Sequence, residues 1–382
     1  MAEATQTKTT IAIDPVTRIE GHLKAEVVVE NGKVVDAKLT GGMYRGFESI
    51  LRGRHPRDAA QIVQRICGVC PTAHATAASI ALEKASGTAV PSNGRATRNL
   101  ILGANYLQSH ILHFYHLAGQ DFIQGPDTAP FMPRYAKPDL RLPPAINAVG
   151  VDQYVEALEV RAVCHEMVAL FGGRMPHVHG ILAGGAAEIP TKEKLVEYAA
   201  RFKKVRKFVE EKYLPVVYLV GSQYKDLGAF GQGYRNALCV GVFPLDDEGK
   251  EFVFKAGAYQ DGKDMPFDVK RVTEDVKFSW FADSTSGKPF TKGENVLEVD
   301  KKGAYSFVKA PLYNGKPMEV GPLARMWVNN KPISPIGQKL FKEYFGLDVK
   351  NFRDMGEDLA FSLLGRHVAR AEESYLMLDV VE

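Results

Sequence analysis

Cysteine is scarce in this sequence, with four in 382 residues, at positions 67, 70, 164 and 239. So few, at such uneven spacing, exclude a disulfide framework and leave free thiols or metal ligation. Long apolar runs are missing too. No stretch reaches the ~18–20 consecutive apolar residues that span a bilayer, so no transmembrane segment is expected. The opening MAEATQTKTTIAIDPVTR lacks a charged n-region followed by an apolar h-region, so the chain is expected to carry no export signal of its own. It could still cross a membrane bound to a partner that has one. Net charge is small, at +3, which gives no reason to expect nucleic acid as a partner. Lys203, Lys204, Arg206 and Lys207 share their helical stretch with Glu210 and Glu211 and read as a solvated face. Internal repeats and low-complexity segments are absent.

What is present is an ordinary globular composition, 45% hydrophobic and 24% charged, far from the disordered regime. At roughly 100–200 residues per domain the length allows two or three domains, or one large domain with insertions. Residues 10–42 alternate apolar and polar positions, and Asn31-Gly32 falls where a tight hairpin turn wants positive φ. From about Pro56 the period becomes helical, through PRDAAQIVQRICGVC and ATAASIALEKA. Leu100, Ala104, Leu107, Ile111 and Leu112 mark a buried helix. Residues 119–144, rich in Pro and Asp, read as an ordered loop. Helix resumes at VDQYVEALEVRAVCHEMVALF and breaks at Gly172-Gly173. Thr191 is placed to cap a further helix, which should run into a short apolar strand, VVYLV. Short β-like pieces such as EFVFKAGAY and YSFVKAP follow, then a last helical region.

The expected fold is therefore α+β. It is mainly helical with a long-helix core bundle, an N-terminal β-hairpin region and a small β-rich insertion. The divisions are 1–55 (β-rich), 56–220 (helical core with the cysteine pair), 221–320 (irregular and β-rich) and 321–382 (helical), together one integrated domain.

The densest chemistry lies in RICGVCPTAH, Arg65 to His74. Cysteines three apart lie on one face of a helix or on its first turn, which brings two thiolates onto one metal. Arg65 and a helix N-terminus favour the thiolate that a soft metal needs, and His74, one turn on, can hydrogen-bond a ligand sulfur. A single CxxC also occurs in zinc ribbons and dithiol redox sites. Zinc needs two more ligands, and Cys164 and Cys239 are isolated, more like buried apolar thiols. A thioredoxin-like site wants a strand before the pair, whereas this pair lies in helical sequence. Spacing alone leaves zinc, dithiol redox and another transition metal open.

IDPVTRIEGHL, GGMYRGFE, RICGVCPTAH, HFYHLAGQDF, KAPLYNGKPMEVGPLARMW and GRHVARAEE, in this order, resemble the large subunit of the [NiFe] hydrogenases, closest to the periplasmic selenium-containing [NiFeSe] subclass. The likeness runs from about residue 9 to the end. It implies the large-subunit fold, reversible heterolytic cleavage of dihydrogen to two protons and two electrons, and a nickel–iron centre with cyanide and carbon monoxide on iron. By resemblance Cys67 matches the terminal nickel ligand and Cys70 the bridge to iron. Glu20 of RIEGH matches a proton relay, the alternative being an ion pair with Arg18. A partly buried glutamate raised toward ~6–7 would both take and pass a proton. Glu48 of GFE matches a ligand of a magnesium or calcium ion, the alternative being an exposed carboxylate between Arg45 and Arg52, with Lys309 of KAP supporting that ion's water shell. His177 of GGRMPH falls where the family faces its partner's nearest iron–sulfur cluster. Histidines 110, 113, 116 and 179 read as hydrogen-bonded core residues.

The resemblance also implies an iron–sulfur small subunit as partner, no iron–sulfur cluster in this chain, help from maturation factors, and a periplasmic location reached with the signal-bearing small subunit, free or membrane-associated. Two departures stand out. Ser109 replaces an aspartate common in [NiFe] enzymes, as in the selenium subclass. The C-terminal DPCxxCxxH block, or its selenocysteine version, is absent from these residues, so a fragment or a split subunit is expected, with activity needing the missing ligands. The rival readings are a non-catalytic relative, such as the quinone-binding subunit of respiratory complex I, and a metal-free interaction fragment. Intact Cys67 and Cys70 argue against the first.

Overall fold

The computed structural model describes residues 8–133 and 138–382. The reading of residues 1–7, and part of the loop reading for 119–144, lie outside the described residues. The chain is α+β and folds as two compact units.

The first unit joins residues 1–52 to 268–318. Its N-terminal part is an antiparallel meander of β1 (Lys8–Ile13), β2 (Leu23–Glu30) and β3 (Lys33–Gly41). Asn31 and Gly32 take φ of 51° and 76° at the β2–β3 turn, the left-handed pair that a two-residue hairpin requires. Register places Ile11 opposite Val27 and Ala25 opposite Leu39, so alternation gathers apolar side chains on one face and Lys24, Glu26 and Lys38 on the other. A second small sheet has the order Lys288–Pro289, Val272–Asp275, Ala310–Tyr313. The two chain segments meet at Gly41. Its N–H donates to Ser306 Oγ (3.1 Å) and its carbonyl accepts from Phe307 N–H (2.9 Å). A Cβ on Gly41 would lie 2.3 Å from the Val308 side chain, so only glycine allows this approach.

The second unit, 53–267 with 319–382, is the helical core. Its long helices are α1 (Pro71–Ser86), α2 (Ser92–Leu112), α3 (Pro144–Gly172), α4 (Lys192–Phe208), α5 (Leu214–Gln223) and α6 (Leu363–Val381). Central α2 packs on both α3 and α6 and buries Ile101, Leu102, Ala104, Leu107 and Ile111. Gly173, at φ 81°, ends α3, and Thr191 Oγ1 accepts from Lys194 N–H to start α4, as its capping position predicts. Lys203 and Lys204 are exposed, while Arg206 pairs with Glu210.

VVYLV is not a strand. It forms the middle of α5, with Val216, Val217 and Tyr218 buried among helices. The β-branched preference is overridden because α4 runs through a π-turn at Val209–Tyr213 directly into α5, and all-round burial favours continuing the helix.

Two neighbouring carboxylates of α6 are buried facing different partners. Glu373 receives both arms of Arg325 (Nη2 to Oε2, 2.8 Å) and the His110 ring (Nε2 to Oε2, 2.7 Å). Glu372 accepts from Tyr218 Oη (2.6 Å) on α5 and from the Ser334 N–H (2.7 Å) and hydroxyl (3.2 Å). These bonds tie α6 to α2, to α5 and to the helix Pro322–Val328 that carries Arg325.

Candidate metal centre

The cysteine pair brackets a helix start. A 3₁₀ turn, Val63–Ile66, ends at Cys67, whose backbone is extended (φ −147°, ψ 132°). Cys70 is the residue before Pro71, which opens α1. Of the two expected placements, a shared helical face is excluded, and the pair sits at the helix start, just ahead of the first turn. Proline at the first helical position begins the helix after Cys70 and leaves CGVC as a loop over its N-terminus. The physical outcome is similar, because the Cys70 N–H donates to Cys67 Sγ at 3.4 Å and holds the pair together. Both thiols are half-buried.

The turn is fastened from below. Gln64, fully buried, donates through Nε2 to the carbonyls of Ala60 and Val178, each at 2.9 Å. Its own carbonyl accepts the Cys67 N–H (3.3 Å), and Asn105 of α2 donates to the Val69 carbonyl (3.4 Å). Arg65 is exposed, with Nη1 on the Gln61 carbonyl (2.6 Å). His74 lies one turn into α1, its N–H on the Cys70 carbonyl (3.4 Å), and partial burial lowers its imidazole pKa. His177 takes a left-handed backbone, φ 63°. Burial first, then the charges of Arg65 and Arg174, hold it below the usual imidazole range. The second unit thus places Cys67 against Cys70, starts the His74 turn at Cys70, and sets Arg65 within charge range of His177.

In the first unit, Glu48 and Lys309 line one cavity of about 340 Å³ with Tyr44, Phe281, Phe307 and Glu274. Lys309 Nζ lies 3.2 Å from the Glu274 carboxylate and 4.9 Å from the Phe281 ring centre. Glu20 is exposed, in the connection between β1 and β2 beyond the edge of the sheet. The partial burial expected of a relay carboxylate is corrected accordingly, since a loop outside the ladder has nothing of the sheet to cover it.

Sequence reasoning missed Glu274, Gln64 and the buried ionic cluster around Glu373. Glu274 and Gln64 carry no pattern that separates them from surface residues. Glu372-Glu373 leave a signal, two adjacent charges within the apolar period of the last helix.

The donor set fits a soft transition metal as far as it goes, with two adjacent thiol sulfurs able to bind as thiolates. Among the described residues no group of three or more His, Cys, Asp or Glu side chains is arranged to hold a metal ion. The unit 1 cavity offers the hard oxygens of Glu48 and Glu274, the donor type that magnesium and calcium take.

A family profile described as nickel-dependent hydrogenase matches residues 45–127 and 120–382. The chain belongs to the nickel-dependent hydrogenase family. A profile described as HoxL-like matches residues 10–40. Within the family, the chain is 60% identical to the periplasmic [NiFeSe] hydrogenase large subunit of Desulfomicrobium baculatum, over 98% of this chain and 74% of that one. It is 33% identical to the hydrogenase-2 large chain of Escherichia coli (strain K12), over 83% and 67%. Among solved structures, the Ni-Fe-Se hydrogenase from D. vulgaris Hildenborough superposes with a TM-score of 0.96 at 70% identity, covering 98% of this chain and 78% of that chain. Such agreement bears out both the resemblance and the large-subunit fold. Among the described residues, no helix is long and apolar enough to cross a membrane.

Proposed function

We propose that this chain works as the large subunit of a [NiFeSe]-type hydrogenase, interconverting dihydrogen with two protons and two electrons. The observation that carries the reading is the Cys67/Cys70 pair. Two half-buried sulfurs are held together by one N–H···S contact over a helix start, in a family member 60–70% identical to selenium-type enzymes. Cys67 and Cys70 would hold a nickel–iron centre, with cyanide and carbon monoxide completing iron. That centre supplies the site where dihydrogen is polarised and its electrons are accepted.

This chain's residues do the rest. Cys67 and Cys70 sit side by side over the start of α1, after the turn that carries Arg65, and a sulfur bound as thiolate both ligates a soft metal and takes up a proton. His74 steadies the ligand sulfur by hydrogen bonding. Glu20 would serve as a proton relay, a role a carboxylate performs by changing protonation state. Glu48 would donate oxygen to a magnesium or calcium ion, and Lys309, held by Glu274, would support that ion's hydration. Electrons leave toward an iron–sulfur small subunit that docks near His177. Assembly in the periplasm with that subunit, aided by maturation factors, completes the proposal.

The test uses the complete enzyme. Cys67→Ser should abolish nickel retention because an alkoxide replaces a soft thiolate poorly. Glu20→Gln should keep the metals and stop hydrogen–deuterium exchange. Stoichiometric nickel with normal turnover in Cys67→Ser would overturn the metal assignment, and wild-type exchange in Glu20→Gln would overturn the relay.

A further inference from the structure

His113, in the π-turn that continues α2 through His113–Ala118, faces His367 of α6 with ring centroids 5.7 Å apart. The Nδ1 atoms of both rings are buried and have no hydrogen-bond partner among the described residues. Buried polar atoms are nearly always satisfied, so two together call for a ligand.

Arg370, one turn beyond His367 on α6, supplies the charge. One of its N–H groups reaches His110 Nδ1 (3.2 Å), and it pairs with no carboxylate among the described residues. Arginine only donates, so His110 Nδ1 must accept, and Nε2 carries the proton given to Glu373 (2.7 Å). Glu373 is thus taken up by His110 and both arms of Arg325, and Glu372 by Tyr218 and Ser334. One ionised carboxylate, Glu373, stands among two largely buried guanidiniums, which leaves one positive charge without a counter-charge among the described residues.

We propose that Arg370, His113 and His367 form a binding site for a small monovalent anion of halide or formate size. A metal cation is disfavoured there by the neighbouring guanidinium. A multivalent anion would exceed the single charge to be balanced. The free N–H groups of Arg370 provide charge-assisted donors, and the imidazoles add neutral ones. Phe114, edge-on to His367 at 5.8 Å between centroids, gives the apolar wall that strengthens such pairing.

The experiment uses the complete enzyme. Crystals soaked in sodium bromide and measured at the bromine edge should show an anomalous peak among these three side chains. Thermal denaturation at constant ionic strength, with gluconate replaced stepwise by bromide or formate, should show a saturable rise in Tm. Arg370→Gln should abolish that rise. If that variant does not fold, His113→Phe and His367→Phe serve instead, each raising the half-saturating bromide concentration by about tenfold, the size of one charge-assisted hydrogen bond. An ordered water or another polypeptide's carboxylate at Arg370 would overturn the proposal. So would unchanged bromide dependence in the variants, or a peak only under molar soaking with no thermal effect, which is binding at crystal concentration only.

Discussion

Replacing Glu373 by glutamine keeps the shape of a fully buried side chain and removes its charge. Arg325 would stay charged without its anionic partner. Breaking a buried ion pair from one side costs about 3–5 kcal/mol. With an unfolding entropy of about 2.1 cal/mol/K per residue, a chain of 382 residues should show a Tm lower by roughly 4–6 °C. The pH dependence gives an independent check. Burial by itself would raise the Glu373 carboxyl, but Arg325, followed by the bond from His110, overcomes it and holds the group at about 2, down from 4.5. A depressed folded-state value means stability that is complete above about 4.5 and lost as pH falls toward 2. At about 1.4 kcal/mol per unit, that loss is on the order of 3 kcal/mol, in line with the substitution cost. Calorimetry of wild type and Glu373→Gln at pH 7, and from pH 5 downward, measures both. The double variant Arg325→Met/Glu373→Met should recover most of the loss, since it also removes the Arg325 charge that the single change leaves unpaired. A Tm change below ~1 °C for Glu373→Gln, or the same acid-side loss in both proteins, would refute the reasoning.

Glu372 carries the opposite sign. Burial outweighs the bonds from Tyr218 and Ser334 and pushes it up to about 7, so stability should fall as pH rises from about 4.5 to 7, and Glu372→Gln should flatten that slope in urea titrations. Glu48→Gln in the complete enzyme should lower magnesium or calcium content, with affinity weakened at least tenfold, and Lys309→Met should act in the same direction more weakly. Elemental analysis decides, and full occupancy in Glu48→Gln would remove it from the ion. Gly185→Ala places a Cβ 2.6 Å from the Gly94 Cα at φ +119°, so a loss of about 1–3 kcal/mol is expected from overpacking, read as a lower urea midpoint with unchanged m-value.

The hairpin at Asn31-Gly32, the Thr191 cap and the buried stripe of α2 were legible because each rests on local chemistry: a turn's φ, a hydroxyl acceptor, a 3.6-residue period. VVYLV was misread for the complementary reason. Its composition favours a strand, and only tertiary burial beside α6 and the helix Pro335–Leu340 makes it helix. At the site, RICGVC announced the sulfurs, yet their geometry depended on Pro71, whose missing N–H delays the helix by a few residues. Glu274 and Gln64 were invisible because their partners, Lys309 and Val178, lie 35 and 114 residues away. The charges of α6 belonged to a quoted block, but nothing local tells a buried ion pair from a solvated one.

Gly41 meets Ser306 across 265 residues of chain. Synthesis at about 5–20 residues per second separates the two by roughly 13–50 s. For that interval the meander has emerged and can pair its own strands, but it lacks the segment that completes its unit. Its apolar face, with Ile11, Ile13 and Leu39 exposed even in the folded structure, is then at its most vulnerable to pairing with other nascent chains. The second unit waits as well, because α6, the latest in sequence of its described long helices, supplies the helix against which α2 and α5 pack. The order of translation therefore leaves the first unit open until residues 268–318 are made and the second until α6 is made, and yield should respond to elongation rate and temperature more than to point changes in either core.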